Sequence, residues 1–175
     1  MKRLLLLLLM TLLCLPVLAE DDPYDNLTVL AAASKLTDEE GKTLELMGFH
    51  SKYKEKLVGL YFTQGDQQVR FYMNETTWTK FRADLVKARS EWATLQSREF
   101  EGEGAVTGYK VGNRLATLRL SIQGATDLSD KRFLMNATGG ATGHPLRISV
   151  ALKDQELQQL VDDFHKIDDF LSQKQ

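Results

Sequence analysis

His50, His144 and His165 are the chain's three histidines, and histidine is the side chain most often recruited to bind zinc. Asp162, His165 and Asp169 stand three and four residues apart, so a helix would turn them to one side. Acidic helix surfaces make this arrangement without binding anything, and a solvated acidic face is the favoured reading. Nucleophilic catalysis has equally little to work with. The single cysteine, Cys14, falls in the first twenty residues. No serine sits in a Gly-x-Ser-x-Gly elbow, and Ser121 and Ser149 fall within predicted strands. Glu99, Glu101 and Glu103 share one strand face, which suits a charged edge strand better than a pair of catalytic carboxylates held in different environments. The glycines of Gly102–Gly108 resemble a phosphate loop only in composition. A dinucleotide site needs them at a strand-to-helix turn, and this stretch runs into another strand. The glycines at 102, 104 and 108 are expected to share a face and let the sheet curve. No catalytic residue, cofactor or metal is assigned from these patterns, and the chain reads as leaning away from an enzyme.

Two features point to binding. The loop from Ala137 to Pro145 carries several glycines and His144 between two strands, and loops on a rigid scaffold often hold recognition residues. The second is a polar sheet face. Arg70, Arg119 and Arg147 each fall mid-strand on the side away from the apolar residues, with Tyr61, Tyr72, Thr117, Ser121 and Ser149. Arginine and tyrosine are favoured interface anchors, and a guanidinium grips carboxylate or phosphate with two parallel bonds. The candidate binding set is therefore Arg70, Tyr72, Arg119, Arg147 and His144. The competing reading is an ordinary antiparallel sheet with one dry and one wet side.

The elements that must position these residues follow from periodicity. Leu57–Thr63 and Gln67–Met73 alternate around Gly65 and Asp66, a glycine-first pair suited to a type II′ hairpin. That turn sets Phe62 against Val69, Leu60 against Phe71 and Val58 against Met73, all on one side, with Tyr61, Gln68, Arg70 and Tyr72 on the other. Gly112 and Asn113 suggest a second hairpin, pairing Tyr109 with Ala116 and Thr107 with Leu118. A third pair, 131–137 with 146–152, has a long, glycine-rich connection. Helical stripes run through Trp78, Phe81, Leu85, Ala88, Trp92 and Leu95, and through Leu157, Leu160, Val161, Phe164, Ile167 and Leu171 from about Asp154, read as an N-cap. Before Leu57 the pattern is weaker. Leu27–Ala33 reads as a short helix, and Thr37–Glu40 has capping-box spacing for another through Leu44 and Met47, although Gly41 and Gly48 argue against it. A shift of 79 residues lays Met73, Trp78, Phe81, Leu85, Ala88 and Trp92 over Leu152, Leu157, Leu160, Phe164, Ile167 and Leu171. That match suggests an internal duplication of a hairpin-helix unit. The expected fold is α+β, a two-layer sandwich of one antiparallel sheet with two amphipathic helices on one face.

The N-terminus sets the compartment. Lys2 and Arg3 precede a leucine-rich run broken by Pro16 and closed by Ala19, the three parts of a secretory signal peptide. The run is short of the roughly 20 residues that span a bilayer. Leucines before Cys14 and apolar residues beyond it argue against a lipid on that cysteine. Cleavage after Ala19 leaves one domain from 20 to 175 with a flexible tail at about 20–26. That domain keeps all 24 acidic residues, loses two of the 22 basic ones and carries a net charge of −4. It contains no cysteine, which a domain of this size tolerates. The periplasm is the expected location, with extracellular secretion next. Mild acidity without a basic run argues against nucleic acid, and no stable membrane insertion is expected after cleavage. The leading function is a non-enzymatic binding or adaptor protein for another envelope protein, a second copy of itself or an anionic group. A carrier of a small apolar ligand between helices and sheet is the alternative, and a hydrolase assembled only in three dimensions stands third.

Overall fold

The computed structural model describes residues 27–95, 102–111, 116–124, 131–139 and 145–173. Four antiparallel strands come first: β1 (Thr28–Thr37), β2 (Thr43–His50), β3 (Lys56–Gln64) and β4 (Gln67–Met73). Helix α1 (Glu75–Leu95) follows. Four more strands, β5 (Gly102–Val111), β6 (Ala116–Gly124), β7 (Arg132–Gly139) and β8 (Leu146–Leu152), lead to α2 (Asp154–Asp162) and α3 (Phe164–Ser172). The result is a mixed α+β fold with two four-stranded sheets, each ordered as in the sequence, where a single sheet was expected. Four strands followed by helix thus occur twice. The predicted signal peptide, the tail at 20–26, Glu99, Glu101 and His144 lie outside the described residues.

The β3–β4 register is the one the alternation predicts, with Phe62 opposite Val69, Leu60 opposite Phe71 and Val58 opposite Met73. Gly65 takes a φ of +56° while Asp66 keeps a negative one, the signature of a II′ turn. The six apolar side chains of this pair are buried, and Arg70 is exposed behind them. Asn74 caps α1 through its side-chain oxygen, which accepts from the Thr77 N–H at 2.9 Å.

The first 30 described residues correct the helical expectation. Leu44 and Leu46 are fully buried at a period of two, and β2 pairs along its whole length with both β1 and β3. Thr37–Glu40 is not a helix start but the approach to a hairpin turn. Asp38 Oδ1 accepts from the N–H groups of Glu40 and Lys42 at 3.0 and 2.9 Å. The Asp38 N–H donates to the Lys42 carbonyl, the Gly41 N–H donates to the Asp38 carbonyl, and Gly41 sits at φ +78°. The β2–β3 turn repeats this construction. Ser51 Oγ accepts from Tyr53 and Glu55 at 3.2 and 3.1 Å, the Ser51 N–H donates to the Glu55 carbonyl, and the Lys54 N–H donates to the Ser51 carbonyl. Here the residue in Gly41's place is Lys54, at φ +63°. A side chain in that left-handed region costs roughly 1–2 kcal/mol that glycine avoids.

The β5–β6 pairing departs from the sequence reading by two residues. Tyr109 stands opposite Leu118 and Val111 opposite Ala116, so four residues join the strands instead of two. A bulge between Ala105 and Thr107 then switches the face of everything on its far side. Gly104 is paired with Ile122 but Gly108 with Arg119, so these glycines do not share a face. The second helical stripe is divided at Asp163. Lys153 precedes α2 with its N–H donating to the Glu156 carboxylate at 2.8 Å, so Asp154 is the first helical residue and not the cap.

One hydrophobic cluster joins the buried side chains of both sheets and all three helices. α1 packs on β3, β4, β5 and β6, α2 on β1, β7 and β8, and α3 on β1 and β2. Trp78 is the knot between helices. Its ring meets Phe164 edge-on at 4.9 Å and tilts on Phe81 at 5.9 Å, and its Nε1 donates to Asp168 at 3.1 Å. The β1 bulge at Ala33 frees a carbonyl, which accepts from Lys166 Nζ at 3.0 Å. Lys56 Nζ donates to the carbonyls of Phe170, Leu171 and Gln173, supplying positive charge at the C-terminal end of α3. No helix among the described residues is long and apolar enough to cross a membrane.

Candidate functional site

The outer face of the first sheet is built around Gly59. β2 sends Phe49 outward, β3 sends Tyr61 and β4 sends Arg70 and Tyr72. A Cβ at Gly59 would lie 2.3 Å from the Phe49 ring. The missing side chain therefore makes the hollow that the ring fills, and Phe49 is only 2% exposed although it sits on the outer side. Tyr61 stacks on Phe49 at 5.5 Å and Tyr72 meets it edge-on at 6.0 Å. The two phenols are hydrogen-bonded at 2.8 Å. Burial, and then the bond to Tyr72, hold the Tyr61 phenol far above its usual range, so the Tyr61 hydroxyl stays protonated at neutral pH.

Arg70 lies directly across from Tyr61, its guanidinium 5.4 Å from the centre of that ring. Its Nε donates to the side-chain oxygen of Gln68, and Gln68 donates in turn to Thr63 at 3.0 Å. Among the described residues no carboxylate pairs with the edge of the guanidinium that carries the two Nη groups, and that edge can take a carboxylate or phosphate. Glu45, opposite Tyr61 on β2, pairs with Lys35 at 2.6 Å and leaves the arginine alone. The arrangement is a braced cation on an aromatic plate. It can bind an anion beside a flat apolar group.

The five predicted binding residues do not come together. Arg70 and Tyr72 share this plate. Arg119 and Arg147 belong to the second sheet, on β6 and β8, so the three arginines do not form one sheet face. Arg119 stands opposite Asn136 and Arg147 opposite Thr138. Between them runs a polar ladder, in which Asn136 Nδ2 donates to Ser121 Oγ at 2.7 Å and Ser149 Oγ donates to Asn136 Oδ1 at 2.5 Å. Ser121 and Ser149 are thereby committed to the sheet. Phe49 and Gly59 are the contributors that sequence reasoning missed. The alternation of Thr43, Glu45, Met47 and Phe49 against Leu44, Leu46 and Gly48 was the signal that could have found them.

Elsewhere the chemistry is sparse. His165 contacts the carbonyl of Asp162, whose carboxylate accepts from Gln158. Among the described residues no three His, Cys, Asp or Glu side chains are grouped to hold a metal ion. His50 Nε2 is buried without a hydrogen bond beside Phe170. Two further buried donors, Arg89 Nε and Trp92 Nε1, lie three residues apart on α1 and also lack an acceptor. No protein-family model matches the chain, and no curated protein matches its sequence.

Proposed function

We propose that the chain is a non-enzymatic binding protein of the bacterial periplasm, or secreted beyond the cell, that recognises an envelope protein through the outer face of its first sheet. The observation that carries this reading is the Arg70 guanidinium, fixed by Tyr61 and Gln68 with its Nη edge outward. Arginine and tyrosine lose little freedom when already braced, which is the condition under which interface side chains become binding hot spots. The partner is expected to present a carboxylate next to an apolar side chain. The two runs of four strands and a helix are read as copies of one ancestral unit, with the helices together on the buried side. The support is the 79-residue match, which superposes β4 on β8 and the buried Trp78, Phe81, Leu85 and Ala88 of α1 on the buried Leu157, Leu160, Phe164 and Ile167 of α2 and α3.

Capture from envelope extract with the chain from Glu20 as bait tests the binding reading. Loss of an anchor of this kind costs about 2 kcal/mol or more, or roughly 30-fold in affinity. Arg70→Ala and Tyr72→Ala are expected to lose the same captured protein to about that extent, while Arg119→Ala and Arg147→Ala retain it. Capture unchanged by Arg70→Ala and Tyr72→Ala removes the plate from the interface. Self-association through the same plate would appear as a dimer in sedimentation that Arg70→Ala dissolves.

A second reading, carriage of a small apolar ligand, is favoured by Arg89 Nε and Trp92 Nε1. A buried donor without an acceptor costs about 1–3 kcal/mol, and a ligand with a polar head would satisfy both. Native mass spectrometry of the purified chain checks it: a retained ligand lost in Arg89→Met supports carriage, and a mass equal to that of the bare chain rejects it.

A further inference from the structure

The sheets end in the strands β1, β4, β5 and β8, and the fold treats β4 differently from the others. β1 is broken by register shifts, and Lys166 Nζ takes its Ala33 carbonyl at 3.0 Å. β5 is bulged between Ala105 and Thr107. β8 has its Ala151 N–H taken by Asp38 at 3.3 Å. Bulges and covered groups of this kind keep a sheet edge from pairing with another chain. β4 runs regularly instead, its seven residues paired with β3 without a register shift. The β3–β4 turn decides which way its peptide groups point. Gln64 and Gln67 close a two-residue loop, so they exchange backbone hydrogen bonds, and every second pair beyond them does the same. Val69 and Phe71 are thereby bonded to Phe62 and Leu60. Gln68 and Arg70, opposite Thr63 and Tyr61, fall between and turn their N–H and C=O groups away from β3. Among the described residues no hydrogen bond reaches those peptide groups. Backbone groups without a protein partner face water, and the exposed Arg70 side chain stands on the same strand.

We infer that β4 accepts an extended segment of the partner as an added antiparallel strand, with an aspartate or glutamate opposite Arg70. This rests on the reading of the Arg70 face as the binding surface and names how that surface is used. Main-chain bonds to Gln68 and Arg70 supply affinity, and alternate side chains select the sequence. Residues across from Gln68, Arg70 and Tyr72 share the outer face. The one across from Arg70 has its Cα about 5.5 Å away, which sets a carboxylate beside the Nη edge of the guanidinium. The one across from Tyr72 extends the aromatic plate if it is apolar. Charge selects against a second copy of β4, because two-fold pairing centred on Arg70 sets guanidinium against guanidinium.

The test adds the peptide acetyl-Leu-Val-Glu-Val-Thr-amide, or the same peptide with Gln in place of Glu, to the isotope-labelled chain from Glu20. Antiparallel pairing sets Leu across from Tyr72, Glu across from Arg70 and Thr across from Gln68. The amides of Gln68 and Arg70 are expected to exchange quickly in the free chain and at least about tenfold more slowly at saturating Glu peptide, while those of Val69 and Phe71 are slow throughout. Arg70→Ala lowers affinity for the Glu peptide about fivefold and leaves the Gln peptide unchanged. Methylating the Glu nitrogen, which faces β4, weakens binding about tenfold, and methylating the nitrogen of the following Val, which faces away, does not. Binding that depends on Arg70 while the Gln68 and Arg70 amides exchange as before overturns strand addition and keeps the plate as a binding face. Failure of the Glu peptide to bind, or slow exchange of those two amides in the free chain, overturns the proposal. A dimer formed by Arg70→Ala, with no peptide bound by the parent chain, assigns the arginine to guarding the edge and overturns it as well.

Discussion

Trp78→Ala is expected to lower folding stability by about 4 kcal/mol, the largest effect of any single substitution considered for this chain. The ring is 1% exposed and is enclosed by Phe81 from its own helix and Phe164 from α3. Truncation leaves a cavity in the place where the helices of the two halves meet, and neighbours on rigid helices cannot collapse fully into it. Asp168 loses the indole donor but retains Arg82, so the carboxylate is not left unpaired. Trp78→Phe separates the contributions. It keeps most of the packing and removes the N–H, for a loss of about 1–2 kcal/mol. Trp92→Phe is expected to cost less than Trp78→Phe, because the Trp92 indole N–H has no acceptor to lose. Equilibrium urea unfolding, with the slope against denaturant unchanged, measures all three. A Trp78→Ala loss below about 1 kcal/mol would show that the helix contact is not a packed interface.

The same helix shows what was legible in the sequence. The stripe from Trp78 to Trp92 needed only a 3.6-residue period, and each member is buried. The β3–β4 register was equally readable, because a two-residue turn with glycine first leaves one pairing that keeps Val58, Leu60 and Phe62 together with Val69, Phe71 and Met73. Local rules fail where a longer-range partner decides. Thr43–His50 has capping-box spacing before it and an alternating pattern within it, and pairing on both sides with β1 and β3 settles the contest for strand. Alternation fixes the face of a residue within one sheet only. Arg70 and Arg119 have the right parity to be neighbours, yet the sheets divide between β4 and β5, and parity says nothing across that division. The β5 bulge is a second instance, since one inserted residue undoes the shared face read for Gly104 and Gly108. For the candidate site, Arg70, Tyr61 and Tyr72 were legible as outward residues. Their assembly over Phe49 was not, because Gly59 matters through the side chain it lacks.

Asp38→Ala is expected to cost about 3 kcal/mol, more than its counterpart Ser51→Ala, and the difference reports how the two sheets are tied. In both turns a side-chain oxygen accepts from two backbone N–H groups. Losing a neutral hydroxyl with two acceptor roles costs about 1–1.5 kcal/mol. Asp38 does more with its second oxygen, which accepts from the Ala151 N–H on β8 at 3.3 Å. It is 7% exposed, so all three donors lose an acceptor that water replaces poorly. Glu39, next in sequence, reaches the same region by pairing with Lys153 on one oxygen and with Arg132 at 3.6 Å on the other. The Lys153 hydrogen bond and charge, followed by the charge of Arg132, hold the Glu39 carboxyl below the usual carboxylate range. A group depressed in the folded state stabilises at pH values above its unfolded pKa, and that contribution fades as acid titrates it through the lower folded pKa. Parent chain and Glu39→Gln should therefore converge as acid titrates Glu39 through its lowered pKa, while Ser51→Ala, which keeps Glu39, stays at a constant distance from the parent. Hydrogen exchange at Ala151 locates the effect: faster exchange in Asp38→Ala and not in Ser51→Ala means the β1–β2 turn clamps the β8 edge. Equal exchange in both would mean that the β1–β2 turn does not clamp the β8 edge.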